Sequence, residues 1–219
     1  MKKFTLLFLG LLSSLTIVGQ SAQEAKLLLD EVSSKMGAYE NMFIGFSQSL
    51  VNEDAGINEG DEPPIRGSIT LQQEKYHLNY LGNKFIFDGK KMYVINPDEK
   101  EVIITEGDIE GGDGFIYPSK LLTFHKEGYT YAMGKVQKID GRKIRFVNLF
   151  PIDSESNITK VTLAIDAQTK HIYQLIQIGE NSSKTTFTIT TFKSNQKLSE
   201  NLFSFNAEKY SSKNGYTID

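Results

Sequence analysis

Residues 67–95 read GSITLQQEKYHLNYLGNKFIFDGKKMYVI, and the pattern in this stretch decides the fold class. Short runs rich in β-branched and aromatic side chains alternate with turn chemistry, and none is long enough to make a helix. Tyr76, Leu78 and Tyr80 fall on one side of a strand, as Ile69 and Leu71 do in the run before. Asp88-Gly89 separates two such runs, and Asp-Gly tolerates the positive φ angles of a tight hairpin. Consecutive strands are therefore expected to pair antiparallel.

The same texture extends towards both ends. Strands are expected at 43–51, 67–72, 76–80, 84–87, 92–95, 102–105, 129–133, 136–139, 143–149, 160–165, 171–178 and 185–192, with a second Asp-Gly turn at Asp140-Gly141. Long helical spacers are missing between them, which argues against a parallel sheet with crossover helices. Ile144 with Phe146, Val161 with Leu163 and Ile165, and Phe187 with Ile189 repeat the one-sided alternation. One large meandering sheet, curled towards a barrel, is expected, with one strongly apolar face. In 85–87 and 102–104 both alternate sets are apolar, so pattern alone does not set the inward face there. Residues 52–64 read as an acidic Gly/Pro surface loop. A glycine-acid loop at 106–114 leads into 115–124, a proline-bounded, leucine- and aromatic-rich segment read as a short amphipathic helix.

At the start of the chain, Lys2 and Lys3 precede an apolar run over 4–18, followed by Gly19, Gln20, Ser21 and Ala22, the layout of a secretory signal peptide. The run is shorter than the roughly 20 residues that span a bilayer. Cleavage is expected near Gly19 or Gln20, or at Ala22, dividing the chain into a signal over 1–19 and one domain over 20–219. Ala25, Leu28, Leu29, Val32 and Met36 then recur at helical spacing, predicting an amphipathic helix that ends near Gly37 and lays its stripe on the sheet. The chain has no cysteine, which removes disulfides, thiolate chemistry, cysteine metal sites and a cysteine-linked lipid of its own. Without residues 1–19, 22 basic residues face 27 acidic ones, interspersed along the chain. That pattern carries no footprint for nucleic acid or an anionic membrane.

Catalytic signatures are missing too. His77, His125 and His171 fit no close-spaced ligand motif and are expected at the surface or at strand edges, so neither a metal nor a cofactor is expected. There is no nucleophile elbow, Walker loop or dinucleotide fingerprint, and Gly111-Gly112-Asp113-Gly114 lacks the strand and helix of a phosphate cradle. The chain is expected not to be an enzyme. A carboxylate pair assembled in space, as in a glycosidase, would show itself as a polar groove; a purely structural protein would show a filled core. A concave apolar face larger than the few helical residues can fill is instead the setting of a ligand pocket.

In order along the chain, Ala25, Leu28, Leu29, Val32 and Met36 are followed by Phe46-Ser47-Gln48, by Gly67-Ser68-Ile69-Thr70-Leu71 and by Lys75-Tyr76-His77-Leu78-Asn79-Tyr80. Phe87-Asp88-Gly89-Lys90-Lys91-Met92-Tyr93 and Asn96-Pro97 come next, then Pro118-Ser119-Lys120-Leu121-Leu122, Leu149-Phe150-Pro151 and Asn201-Leu202-Phe203-Ser204-Phe205. This order resembles the LolA-type outer-membrane lipoprotein carriers over essentially the whole mature length. The resemblance implies an incomplete, half-open antiparallel β-barrel closed by a helical lid over an apolar cavity. The cavity would hold the acyl chains of lipoproteins released by an inner-membrane ABC transporter, for transfer through the periplasm to an outer-membrane acceptor, with the carrier a monomer. A carrier of free lipid or of a lipid intermediate would use the same fold. Many members have an Arg-Pro pair after the second strand, linked to lid control; here that stretch is Gln72-Gln73-Glu74, and the nearby Arg66 reads as a solvated arginine.

The cavity is expected to lie between Leu28, Val32 and Met36 of the first helix with Leu121, Leu122 and Phe124 of the lid segment on one side, and Ile69, Leu71, Tyr76, Leu78, Tyr80, Phe87, Tyr93 and Phe146 of the sheet on the other.

Overall fold

The computed structural model describes the backbone of residues 2–108 and 124–219, and the side chains of residues 20–108 and 125–219. Helix α1 (Lys2–Gly37) leads into β1 (Met42–Val51), β2 (Ile65–Gln72), β3 (Lys75–Tyr80), β4 (Asn83–Phe87), β5 (Lys91–Asn96) and β6 (Glu101–Glu106). After the segment outside the description come β7 (Tyr129–Ile139), β8 (Arg142–Pro151), β9 (Ile158–Asp166), β10 (Ile172–Gly179), β11 (Lys184–Ser194) and β12 (Thr217–Ile218). All twelve join one open sheet in the order β12-β6-β5-β4-β3-β2-β1-β11-β10-β9-β8-β7. The two edges, β12 and β7, do not pair with each other, so the barrel is incomplete.

The order shows two meanders, β1 to β6 and β7 to β11, sewn together where β1 pairs antiparallel with β11. Side chains lock this seam at its start. Buried Asn41 donates through Nδ2 to the Gln196 carbonyl at 2.9 Å and accepts the Gln196 N–H at 2.9 Å. Beside it, Asn195 Oδ1 accepts the Glu40 N–H.

Three details differ from the sequence expectation. The runs 129–133 and 136–139 are one strand, β7, whose register against β8 shifts between Met133 and Val136. The twelfth strand is instead the short β12, which pairs parallel to β6 rather than antiparallel. The helix is also longer than the stretch expected after residue 19, running unbroken from Lys2. The lid helix expected over 115–124 lies outside the described residues except at its end, where Phe124–Lys126 form a turn of 3₁₀ helix.

Turn chemistry follows the residues. Asp140 (φ 48°) and Gly141 (φ 79°) both take the positive φ of a tight hairpin. At the other Asp-Gly pair, the Asp88 carboxylate accepts the N–H groups of Lys90 and Lys91, both at 2.8 Å, and only Gly89 (φ 96°) is left-handed. Register shifts also occur in the pairings of β11 opposite Gly45 and Phe46 and of β10 after Ile172. The extra residue in β11 keeps Phe192 on the same face as Phe187 and Ile189 despite their odd spacing. Bulges of this kind bend a sheet and increase its twist.

Helix α1 lies on one face, here called the inner face. Ala25, Leu28, Leu29, Val32 and Met36 are buried in one cluster with Met42, Ile44, Val147, Leu149, Leu163, Ile165 and Ile172. Burying each larger side chain of that stripe contributes roughly 1.5–3 kcal/mol, which makes it the main force holding the helix down. Polar links then set its direction. Arg145 of β8 pairs with Glu24, Lys170 reaches Glu31 at 2.6 Å, and Ser21 Oγ accepts the Met133 N–H of β7 at 3.0 Å. As these ion pairs are partly exposed, they orient the helix more than they stabilise it. On the outer face, the C-terminal segment crosses β4 to β6, burying Tyr210 with Ile86, Ile95 and Val102 and stacking Phe205 on Tyr93 at 4.8 Å.

The histidines are less exposed than expected. His125 is buried, with Nε2 3.4 Å from Ser33 Oγ of α1, and its carbonyl accepts the Tyr131 hydroxyl. The half-buried His171 meets the Tyr39 hydroxyl at 2.9 Å and packs on Phe192. His77, also half-buried, lies in the register row of Ile86. The pattern missed this because a lone histidine in a strand or loop carries no periodic signal for its own burial.

Two outcomes are expected. A Cβ added at Gly67 would lie 2.3 Å from Cζ of Phe46, whose ring sits between Tyr80 and Phe187. Gly67→Ala should therefore cost about 1–3 kcal/mol, read as a lower urea midpoint, and should lose less than additively when combined with Phe46→Ala. The second concerns pH. Burial holds the His77, His125 and His171 imidazoles below their ordinary value of 6.5. The unfolded chain then binds more protons than the folded one as pH falls through 6.5, so stability is full above that value and drops below it. Thermal midpoints should fall between pH 7 and pH 5, and His125→Gln should flatten that dependence.

Candidate functional site

The inner face brings most of the expected cavity residues onto one surface. Leu28, Val32 and Met36 of α1, Ile69 and Leu71 of β2, Tyr76 and Leu78 of β3 and Phe87 of β4 are buried in one cluster, and Tyr80 packs against it half-buried. The reason is register. Ile44 faces Ile69, Ile69 faces Leu78 and Leu78 faces Phe85, so alternate residues of four strands stack into continuous apolar rows.

Two expected residues lie elsewhere. Tyr93 is in the register row of Ile86 on the outer face, under Phe205, while Met92 and Val94 of the same strand face inward. Phe146 packs with Ile144 and Ala164 in a separate outer cluster, with Lys135 Nζ 5.0 Å from its ring centre. Its strand sends Val147 and Leu149 inward instead, opposite Leu163 and Val161. In both strands the two alternate sets are apolar, and the pairing register, which alternation alone does not reveal, chooses between them. In β8, Arg145 shares the parity of Val147 and Leu149 and makes that set look like the solvent side; the structure explains it through its pair with Glu24 of the helix. Leu121 and Leu122 lie outside the described residues, as does the side chain of Phe124.

The helix does not cover the inner face evenly. Its links reach β7, β8 and the turn between β9 and β10, at one side of the sheet's breadth. Phe46, Tyr80, Phe85, Val94, Tyr129, Tyr131, Phe187 and Ile189 stay only partly buried. Several of these aromatics meet, with Phe46 centred 5.8 Å from Tyr80 and 5.9 Å from Phe187. Gly67 is what admits the Phe46 ring, which lies over its backbone where a side chain would otherwise stand. Burial pushes the Tyr80 and Tyr129 phenols above their ordinary range, so both remain neutral hydroxyls on an apolar surface. Phe46, Tyr129 and Tyr131 are not among the residues expected to line the cavity, although the alternation Met42, Ile44, Phe46 marks the first of them.

At its less covered end the face runs into a cleft of about 600 Å³ lined by Gln48, Phe187 and Ile158 and by Asn157, Gln177, Gly179, Glu180, Asn181, Ser183 and Thr185. A larger cleft of about 1030 Å³ lies at the turns between β2 and β3 and between β4 and β5, against residues 196–204. Glu40, Glu74, Lys75, Asp88, Lys90 and Glu200 line it, and this mixed-charge surface does not suit an apolar ligand. Gln72, Gln73 and Glu74, where the family's arginine would be expected, form part of its wall, and Arg66 is exposed at the start of β2. Among the described residues, no three His, Cys, Asp or Glu side chains come together as metal ligands would. No helix among them is long and apolar enough to cross a membrane.

The inner face thus leaves part of its apolar surface uncovered. The family pattern described as outer membrane lipoprotein carrier protein LolA matches residues 80–206. An uncharacterized conserved protein from Thermus thermophilus superposes with a TM-score of 0.59 at 8% identity, over 90% of this chain and 99% of that one. The MucA/MucB complex of Pseudomonas aeruginosa gives a TM-score of 0.50 at 14% identity, over 84% of this chain and 62% of that one. A lipoprotein-sorting protein domain from Vibrio parahaemolyticus gives 0.47 at 13% identity, over 84% and 97%. At these identities the first two likenesses establish the fold alone. No curated protein matches the sequence. The family pattern spans more than half of the chain, including most of the strands that form the apolar face, and the chain belongs to the LolA family of outer membrane lipoprotein carrier proteins.

Proposed function

We propose that this chain is an exported, non-enzymatic carrier that takes the acyl chains of lipoproteins onto the inner face of its sheet and moves them through the periplasm to the outer membrane. The observation that carries the reading is the half-covered apolar surface around Phe46, Tyr80, Phe187 and Ile189, on a sheet whose two ends do not pair with each other. Apolar surface left partly exposed in a folded protein favours burial against a ligand by roughly 25 cal/mol per Å² removed from water. Membership of the LolA family supports the lipoprotein cargo. On this reading residues 1–19 are the cleaved signal and 20–219 the carrier domain, acting as a monomer. It would load from an inner-membrane lipoprotein-releasing ABC transporter and unload to an outer-membrane acceptor. The cavity would be lined by the inward residues of α1 and β1 to β4, with Leu121, Leu122 and Phe124 contributing from the lid.

The half-covered face serves a free lipid equally well on physical grounds, and ligand chemistry separates the two. Mature protein should bind a triacylated lipopeptide and not the same peptide without its acyl chains, measured by titration calorimetry. Phe187→Asp, which puts a charge on the exposed part of the face, should weaken acyl binding at least about tenfold with an unchanged circular dichroism spectrum. Binding of free phospholipid but not of the lipopeptide would move the assignment to a lipid carrier; binding of neither would end it.

A further inference from the structure

Strand β1 sets Met42, Ile44 and Phe46 on the inner face by strict alternation, and the next residue in that series is Gln48. Its cross-strand neighbours are apolar, Phe187 of β11 and Ile65 of β2. An amide here breaks the local rule that the rest of the strand obeys, and such breaks tend to mark functional positions. Its Oε1 is buried and accepts no hydrogen bond from any described residue. A buried acceptor without a donor is costly in a folded protein and calls for an explanation. Gln48 also lines the cleft of about 600 Å³ at the less covered end of the apolar face, beside Phe187 and Ile158. The terminal torsion of a glutamine has a broad, two-fold profile, so a half-turn about it brings the oxygen to the less buried position that the amide nitrogen holds.

We infer that Gln48 reads the root of the bound acyl chain, accepting a hydrogen bond from a donor group, an amide N–H or a hydroxyl, at the point where the chain joins its head group. This rests on the carrier reading and adds a preference to it. Apolar burial along Phe46, Tyr80 and Phe187 is indifferent to how the chain is attached. The Gln48 acceptor at the end of that surface is not: it favours amide-linked or hydroxyl-bearing amphiphiles over ester-linked ones that offer no donor.

The test uses two ligands that differ by one atom, N-palmitoylglycine methyl ester and its depsi analogue with the N–H replaced by oxygen, each displacing a fluorescent fatty acid from the mature protein. The wild type should bind the amide on the order of tenfold more tightly. In Gln48→Leu the amide-to-ester ratio should fall to about one, and Gln48→Met, of closer shape, repeats the measurement if the leucine variant does not fold. With no ligand present, either variant should also melt at a higher temperature, because a buried unpaired acceptor has been removed. 1-Monopalmitoylglycerol distinguishes the donors: Gln48-dependent binding extends the role to hydroxyls, and its absence confines it to N–H. If wild type binds amide and ester equally, the inference is overturned and the carrier reading stands. If neither ligand displaces the probe while the triacylated lipopeptide does, the inference falls and the carrier reading stands.

Discussion

The pairing of β1 with β11 is the constraint on which the rest of the structure depends. These strands lie far apart in the chain, yet they sit side by side in the middle of the sheet and turn two separate meanders into one. Without that seam, Ile69, Leu71 and Leu78 on one side and Leu163, Ile165 and Leu175 on the other would belong to different surfaces. With it, they form a single apolar face broad enough for α1 to lie on. Closing so long a loop costs entropy before any contact rewards it. That cost explains why the start of the seam is also fastened by Asn41 and Asn195 through four hydrogen bonds to the neighbouring backbone.

One face this broad and one helical stripe are unequal partners. Ala25, Leu28, Leu29, Val32 and Met36 bury the part of the face they reach, and the aromatics around Phe46 are left half-covered. In a protein with only structural duties this would be a fault, since uncovered apolar surface weakens the fold and invites aggregation. In a carrier it is the working surface. The partly exposed ion pairs of α1 fix where the helix lies and add little to its stability.

The outer face shows the opposite solution. Over β4 to β6 the C-terminal segment covers the apolar side chains with Phe205 and Tyr210, and β12 pairs along β6, which would otherwise be an open edge. Over β8 to β10, the charged ends of Lys135 and Arg142 lie over the rings of Phe146 and Tyr173, 5.0 and 4.7 Å from the ring centres. The two sides of one sheet are therefore finished differently: the outer closed over, the inner left partly open.

Much of this was legible in the sequence. Period-two alternation gave the strands, Asp140-Gly141 the hairpin, and the spacing of Leu28, Val32 and Met36 the helix with its buried stripe, because each is a local pattern fixed by backbone geometry. The order of the motifs carried the family. Three things stayed hidden. Which face Tyr93 and Phe146 occupy depends on register, and where both alternate sets are apolar a shift of one residue leaves the pattern unchanged. The bulge that merges 129–139 into one strand falls at Gly134-Lys135, and a glycine there reads equally as a break between two strands. The seam between β1 and β11 joins residues too distant for any local rule. The sequence by itself determined which segments become strands and helix, since those choices are made within a few residues. Only the tertiary structure decided which apolar side chains share a face and how much of it the helix leaves uncovered, because both are set by contacts between segments far apart in the chain.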